Sequence, residues 1–139
     1  MNVIGRDGVA LEEVWKDRPV AYMAISVPEF PNFLMLNGPN GPVGNISLID
    51  VAEQQFTYIM QRVEEVRSGC CTEISASQAA MDHFDADRTE AAKKTIWHSG
   101  CNSWYLDAPG VPAVWPWTVE RLKEDMAKPQ LDDYETIAH

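Results

Sequence analysis

The stretch from Phe30 to Asn45, Phe-Pro-Asn-Phe-Leu-Met-Leu-Asn-Gly-Pro-Asn-Gly-Pro-Val-Gly-Asn, constrains this 139-residue chain more than any other. Within it the apolar run Phe33-Leu34-Met35-Leu36 has the length and composition of a short buried strand. The run stops at Gly38-Pro39, passes Gly41, Pro42 and Gly44, and leads into a segment of helical period. A strand, a glycine-rich crossing and a helix start in succession let backbone approach a flat or anionic ligand closely. Taken on its own residues, Gly38 to Asn45 also reads as an ordinary strand-to-helix loop with Asn45 or Ser47 as the cap.

The rest of the chain divides by period and by breakers. Asp7-Gly8 is a hairpin-type turn signal between Val3-Ile4 and the run Val9 to Leu11. Leu11 to Trp15 suits one helical turn, closed near Pro19. Val20 to Ile25 reads as a strand bounded by Pro28 and Pro31. No full strand-helix-strand unit is present, so these strands read as a piece of a sheet. From Ser47 the period becomes helical, with Leu48, Val51, Ala52, Gln55, Phe56, Ile59, Met60, Val63 and Val66 on one face. That helix should end at Ser68-Gly69, with Gly69 in the left-handed position and Arg67 at the negative end. Ser75-x-x-Gln78 has the capping-box form, with Ser77 as the alternative cap. The helix it opens runs through Ala80, Phe84, Arg88 and Ala91 towards Trp97, and its many charges place it on the surface. Gly100 to Pro116 is irregular and aromatic-rich. Thr118 caps a short helix to about Met126, Pro129 stops it, and Asp132 to Glu135 carry no strong signal.

Composition narrows the function. A net charge of −10 leaves nothing to neutralise phosphates or an anionic membrane surface, which excludes nucleic acid and lipid headgroups as partners. No apolar run approaches a membrane span and no leader-type segment opens the chain, so a soluble cytoplasmic protein is expected. The three cysteines, Cys70, Cys71 and Cys101, lack metal or disulfide spacing. His83, His98 and His139 lie far apart without companion ligands, so no metal is expected. No nucleophile elbow occurs, Cys101 has no nameable base, and no catalytic acid or base is assigned. Asp82, Asp85, Asp87 and Glu90 spread around a helix and read as a solvated face.

Three motifs in order carry a family resemblance. The Phe30 to Asn40 stretch resembles the "FPNLFML-GPN" segment of Baeyer–Villiger monooxygenases and their flavin-containing monooxygenase relatives. Gly5-Arg6-Asp7-Gly8 with Leu11 and Trp15 is similar to the hairpin and connector that precede this segment. Gly100-Cys101-Asn102-Ser103-Trp104-Tyr105, followed by Trp115-Pro116, is similar to the "GC-SWY…WP" signature near the family's C-terminus. The resemblance implies the C-terminal segment of an enzyme with two dinucleotide-binding domains. In such a parent NADPH reduces FAD, and the peroxyflavin formed with O2 passes one oxygen atom to a carbonyl or heteroatom substrate. Under that reading Gly38, Asn40, Gly44, Asn45, Ile46 and Ser47 contact the flavin, mostly through backbone. Oriented amides at a helix start suit the negative charge of a reduced flavin. Trp104 would line the nicotinamide side; alternatively it joins Trp97, Trp115 and Trp117 in a small aromatic core.

The fold class expected is an α+β fragment of an α/β flavoprotein: a few short strands, one long amphipathic helix, and a helical and irregular C-terminal part. Residues 1–68 would complete the FAD-binding domain and residues 69–139 would cover it. The G-x-G-x-x-G signatures for FAD and NADPH are absent, so the segment alone is expected to be inactive. Asp107-Ala108-Pro109-Gly110-Val111 also replaces the Asn-x-Pro-Gly-Lys run usual in Baeyer–Villiger enzymes, which leaves the oxidised substrate open. The competing reading is a non-enzymatic acidic interaction module, or a degenerate paralogue, that associates through Phe56, Ile59, Met60 and Val63. That association would involve a second copy or a missing N-terminal portion.

Overall fold

A 20-residue helix, α2 (Leu48–Arg67), is the element on which the other pieces pack. The computed structural model describes residues 2–44, 46–96, 106, 110–128 and 130–138. Ser47 caps α2, its hydroxyl accepting from the amides of Ile49 and Asp50 at 3.3 and 3.5 Å. At the other end Gly69 turns left-handed at φ 80°. Its amide donates to the Val66 carbonyl at 3.1 Å and that of Cys70 to Glu65 at 3.2 Å, the bond pair of a Schellman motif. Both ends lie where the sequence puts them.

The buried face of α2 does not coincide with its apolar stripe. Val51, Gln55, Tyr58 and Arg62 are the residues fully buried, whereas Leu48, Phe56, Met60 and Val63 stay exposed. The face is rotated because Arg62 stacks over the rings of Tyr58 and Tyr134, at 6.0 and 5.3 Å, and pairs with Glu65 at 2.7 Å. A long side chain with an apolar stem and an aromatic partner displaces smaller apolar residues from the core side.

Strands β1 (Glu73–Ala76) and β2 (Tyr134–Ile137) pair antiparallel, Glu73 opposite Ile137 and Ala76 opposite Tyr134. Neither was expected; each is four residues long and finds its partner far along the chain. Arg6, in the Asp7-Gly8 turn, reaches this sheet through Glu73 at 3.1 Å and Glu135 at 3.7 Å. Helix α3 (Gln78–Ala92) is capped by Ser77, whose hydroxyl accepts from Ala80 at 3.1 Å; Ser75 is buried inside β1 instead. It ends at Ala92, short of Trp97, and it is not simply a surface helix. Arg88 is fully buried, donating to Asp85 at 2.9 and 3.2 Å and to the Pro112 carbonyl at 2.5 Å. Thr118 caps α4 (Val119–Ala127) as expected, accepting from Arg121 at 3.2 Å.

The N-terminal part folds by turns. A 3₁₀ turn at Arg6–Gly8 closes the expected hairpin, with Gly5 donating to Val9 at 2.8 Å and Leu11 to Val3 at 2.9 Å. One short helix, α1 (Leu11–Val14), follows. Residues 20–25 are not a strand. Tyr22 donates to Ser26 at 2.7 Å and accepts from Ile25 and Ser26, across a reversal in which Met23 and Ala24 take φ of 51° and 61°. Residues 33–36 are extended but make one bridge, Leu34 with Ser26, and are half-buried or exposed rather than a buried strand. Their side chains still alternate. Phe33 and Met35 pack on Leu11, Val27 and Phe30, and Leu34 packs on the main core.

That main core draws on both halves of the chain, with Tyr22, Ile25, Val51, Tyr58, Ile74, Met81, Leu122, Met126 and Tyr134 among its members. The Tyr22 hydroxyl donates to Asp133, and its ring meets Phe84 and Tyr134 edge-on at 5.7 and 5.8 Å. Burial pushes the phenols of Tyr22, Tyr58 and Tyr134 up from the usual value near 10, and the Asp133 carboxylate adds to the effect at Tyr22. The folded state therefore holds these protons more tightly than the unfolded chain does. Their contribution is intact below pH ~10 and is lost as pH rises beyond it. In an alkaline titration, tyrosinate absorbance from these three residues is expected to appear together with loss of helical circular dichroism. Full tyrosinate absorbance with helical signal retained would contradict the burial.

Candidate functional site

The glycine-rich crossing delivers the chain to the start of α2 and lines a groove of about 510 Å³. Its walls are residues 37–44, Leu48, Ala113 and Val114, and among these none carries an ionisable side chain. Proton chemistry by wall residues is thereby absent from the groove, which offers apolar surface, prolines and backbone polar groups. The amides of Gly44, Ile46 and Leu48 donate to no described residue, and they sit at the positive end of a long helix. Asp50 in the first turn partly offsets that field.

The six expected contact residues have unlike surroundings. Gly38 donates to the Ala24 carbonyl at 3.1 Å, and a Cβ at Gly38 would stand 2.4 Å from that oxygen. Its close backbone approach is therefore to the Tyr22–Ser26 reversal. Asn40 is 3% exposed and left-handed at φ 68°; its Oδ1 accepts from Ala21 at 3.2 Å and its Nδ2 donates to Ala113 at 3.5 Å. That side chain pins the crossing and is not available to a ligand. Gly44 has φ 88° with open space where a Cβ would stand, so its requirement is conformational. Ile46 packs partly on the core and Ser47 is the helix cap. Asn45 and Trp104 lie outside the described residues, as do Trp97, His98 and Cys101.

Residues that sequence reasoning left aside hold this site together. Gln55, fully buried on α2, accepts from the Asn37 amide at 2.7 Å, and Asn37 donates to the Leu48 carbonyl at 3.3 Å. The Gly41 carbonyl accepts from the Trp115 amide at 3.1 Å. The structure thus brings Trp115-Pro116 against the crossing. Trp115 and Trp117 meet at 4.9 Å with Phe84 beside both, so these two tryptophans do form an aromatic cluster. The signal for Gln55 was a polar residue repeating in phase with an apolar face.

A second cavity, of about 440 Å³, lies between α3 and α4 and includes Asp87, Asp125, Asp132 and Asp133 in its lining. Its charge disfavours an anionic cofactor. Burial raises the Asp125 carboxyl from its ordinary value, although Arg121 opposes this at 3.4 Å. His83 is exposed beside Asp87, as its polar face implied. Among the described residues no cluster of His, Cys, Asp or Glu could hold a metal ion.

No protein-family model matches the chain. It is 36% identical over 135 residues to an uncharacterized monooxygenase of Mycobacterium tuberculosis, matching 97% of this chain and 27% of that one. It is 33% identical over 139 residues to a Baeyer–Villiger monooxygenase of Streptomyces coelicolor, again 27% of the relative. An FAD-binding monooxygenase of Emericella nidulans is 30% identical over 135 residues, 96% of this chain and 22% of the relative. In fold, the chain matches cyclohexanone monooxygenase from Rhodococcus sp. Phi1 bound to NADP+ with a TM-score of 0.85 at 23% identity. That match covers 100% of this chain and 27% of the other. Its homologues are therefore FAD-binding and Baeyer–Villiger monooxygenases, and the chain spans about a quarter of the length of such an enzyme.

Removing the Asn40 side chain leaves the buried Ala21 amide without an acceptor. Asn40→Ala is expected to destabilise the chain by about 1–3 kcal/mol. Asn40→Asp, which keeps the acceptor, should lose less. Urea unfolding of the three proteins checks both, and equal stability of Asn40→Ala and the parent would remove Asn40 from its pinning role.

Proposed function

We propose that this chain is the C-terminal part of an FAD- and NADPH-dependent monooxygenase that inserts one oxygen atom from O2 into a small organic carbonyl or heteroatom compound. The observation that carries this reading is the uncharged groove at the crossing. It lies at the amino end of α2, in a chain that aligns with such enzymes over almost its whole length.

The groove fits the ring end of a flavin. Its apolar and proline-rich wall suits a flat heterocycle, and the amides of Gly44, Ile46 and Leu48, which donate to no described residue, suit the ring's polar edge. Bound FAD, reduced by NADPH, would supply the oxygen-transfer chemistry. This chain's part is to orient and to exclude water. Gly44 gives the left-handed turn that aims the amides, Ser47 fixes the start of α2, and Gly38 and Asn40 hold the crossing against the reversal at Tyr22. By the resemblance, Asn45 is assigned to the flavin and Trp104 to the nicotinamide side in this proposal. Residues 1–68 would finish the FAD-binding domain of a two-dinucleotide-binding parent, and residues 69–139 would cover it. The exposed thiol of Cys70 and the buried one of Cys71 suit a reducing cytoplasm. Among the described residues no helix is long and apolar enough to cross a membrane.

The chain lacks a glycine-rich phosphate loop, so alone it is expected to show no saturable FAD binding at micromolar concentrations by flavin fluorescence. Saturable one-to-one binding would overturn its role as a segment. Exchanged for the matching quarter of the Streptomyces coelicolor relative, the chain is expected to support FAD retention. Gly44→Val in that chimera should lower bound flavin several-fold, because a β-branched residue is strained at positive φ. Unchanged flavin content in Gly44→Val would detach the crossing from the cofactor.

A further inference from the structure

Gln55 is fully buried on α2, yet its hydrogen bond goes to a residue at the surface. Its Oε1 accepts from the amide of Asn37 at 2.7 Å, and Asn37 is exposed. A solvated loop residue does not need a buried partner. The Gln55 Nε2 donor meanwhile has no acceptor, a cost that an apolar side chain of similar size would not carry. The fold bears that cost while holding a single residue of the loop. Asn37 takes φ 51°, and its Nδ2 donates to the Leu48 carbonyl at 3.3 Å. Leu48 and Gln55 lie about two turns apart on α2. Asn37 is therefore gripped at two levels of the helix, by its amide and by its side chain. The contact of Asn37 with Leu48 is also a partition. Both residues line the groove of about 510 Å³, and both line an apolar hollow of about 550 Å³ beside Ile49, Ala52 and Phe56. Gln55 lines neither space, so it reaches the groove only through Asn37.

We propose that Gln55 is a positioning residue for the flavin, acting through Asn37 to set the aim of the α2 amides and to keep the groove closed from the neighbouring hollow. The inference rests on the groove at the crossing being the flavin site. Asn37 opens the crossing and Leu48 begins α2, so the contacts Gln55–Asn37–Leu48 fix the two ends of the crossing relative to each other. The amides of Gly44, Ile46 and Leu48 belong to that span and donate to no described residue, so their direction follows from the ends that hold them. Negative charge on a reduced flavin is stabilised by preorganised donors only as far as they are aimed at it. Loosening Asn37 therefore weakens binding in general and weakens it most for the reduced, charged form. Parting Asn37 from Leu48 also joins the groove to the hollow and admits water, which screens the same amides.

FAD affinity and flavin midpoint potential in the Streptomyces coelicolor chimera test this without an activity assay. Gln55→Met keeps the length of the side chain and removes the acceptor. It is expected to weaken FAD binding about tenfold and to move the midpoint potential of the flavin still bound to a more negative value. Asn37→Gly suits the positive φ and removes the bond to Leu48, so it should produce the same two changes even if Gln55→Met does not fold. The double variant should bind no worse than the weaker single one, because both act through one set of contacts. Asn32→Gly is the matched control. Asn32 is also exposed and left-handed, at φ 59°, and donates to the Thr72 carbonyl at 3.0 Å, away from the groove. That control should lower the chimera's Tm and leave the potential where it was. An unmoved potential in Gln55→Met and Asn37→Gly overturns the proposal, as does an equal shift in Asn32→Gly. Additive losses in the double variant overturn the action through Asn37. A chimera that binds no FAD before any substitution removes the flavin site and this inference with it. Flavin that is lost in Gly44→Val but unaffected by Gln55→Met and Asn37→Gly removes this inference alone.

Discussion

Where the turns of residues 20–40 meet β1 and α2 there is no sheet ladder, and side chains supply partners for backbone amides on both sides. Asn40 Oδ1 accepts from Ala21, Gln55 Oε1 from Asn37, Ser26 Oγ from Ala76, and Asn32 Oδ1 from Ile74, at 2.7 to 3.2 Å. An unpaired buried amide is worth a kcal/mol or more against the fold, so each polar side chain fixes the position of a neighbouring segment. The register of β1, the entry to α2 and the path of the crossing all depend on these four contacts. Asn32 also donates to the Thr72 carbonyl at 3.0 Å, which ties the start of the extended run to the sheet from both its oxygen and its nitrogen.

This scheme changes the meaning of the motif residues. Gly38 and Asn40 resemble a cofactor-contact signature, yet Gly38 lies against Ala24 and the Asn40 side chain is sealed between Ala21 and Ala113. Their chemistry is that of positioning: one permits two backbones to touch and the other replaces a missing ladder bond. Further along, the amides of Gly44, Ile46 and Leu48 donate to no described residue. A sequence signature can therefore mark how a loop is held.

Legibility in the sequence followed the range of the interaction. Helix ends were readable because caps act within a few residues: Ser47, Gly69 and Thr118 each satisfy groups on their own helix. The hairpin at Asp7-Gly8 was local in the same way. The sheet was not, because Glu73–Ala76 has no partner nearby and its four residues carry no alternation that outlasts a turn. Residues 20–25 have strand composition, but the reversal requires positive φ at Met23 and Ala24, which neither residue type announces. The stripe on α2 was visible, while its rotation away from the core was not. That rotation depends on Arg62 meeting the ring of Tyr134, a residue from the far end of the chain.

The same rotation makes the exposed stripe and the buried Arg62 two aspects of one arrangement. Placing Arg62 and Tyr58 inside turns Phe56, Met60 and Val63 outwards. A chain stabilised wholly by its own core would gain from the opposite rotation, which hides apolar carbon and leaves a guanidinium in water. Tyr134 holds α2 in the other setting because β2 fixes that ring against β1, and Arg6 bonds to Glu73 and lies within ion-pair reach of Glu135, linking both strands to the N-terminal turn. The elements that bracket the crossing from either end of the chain therefore also present its apolar flank, so the groove at the crossing and the outward face of α2 are set by one packing choice.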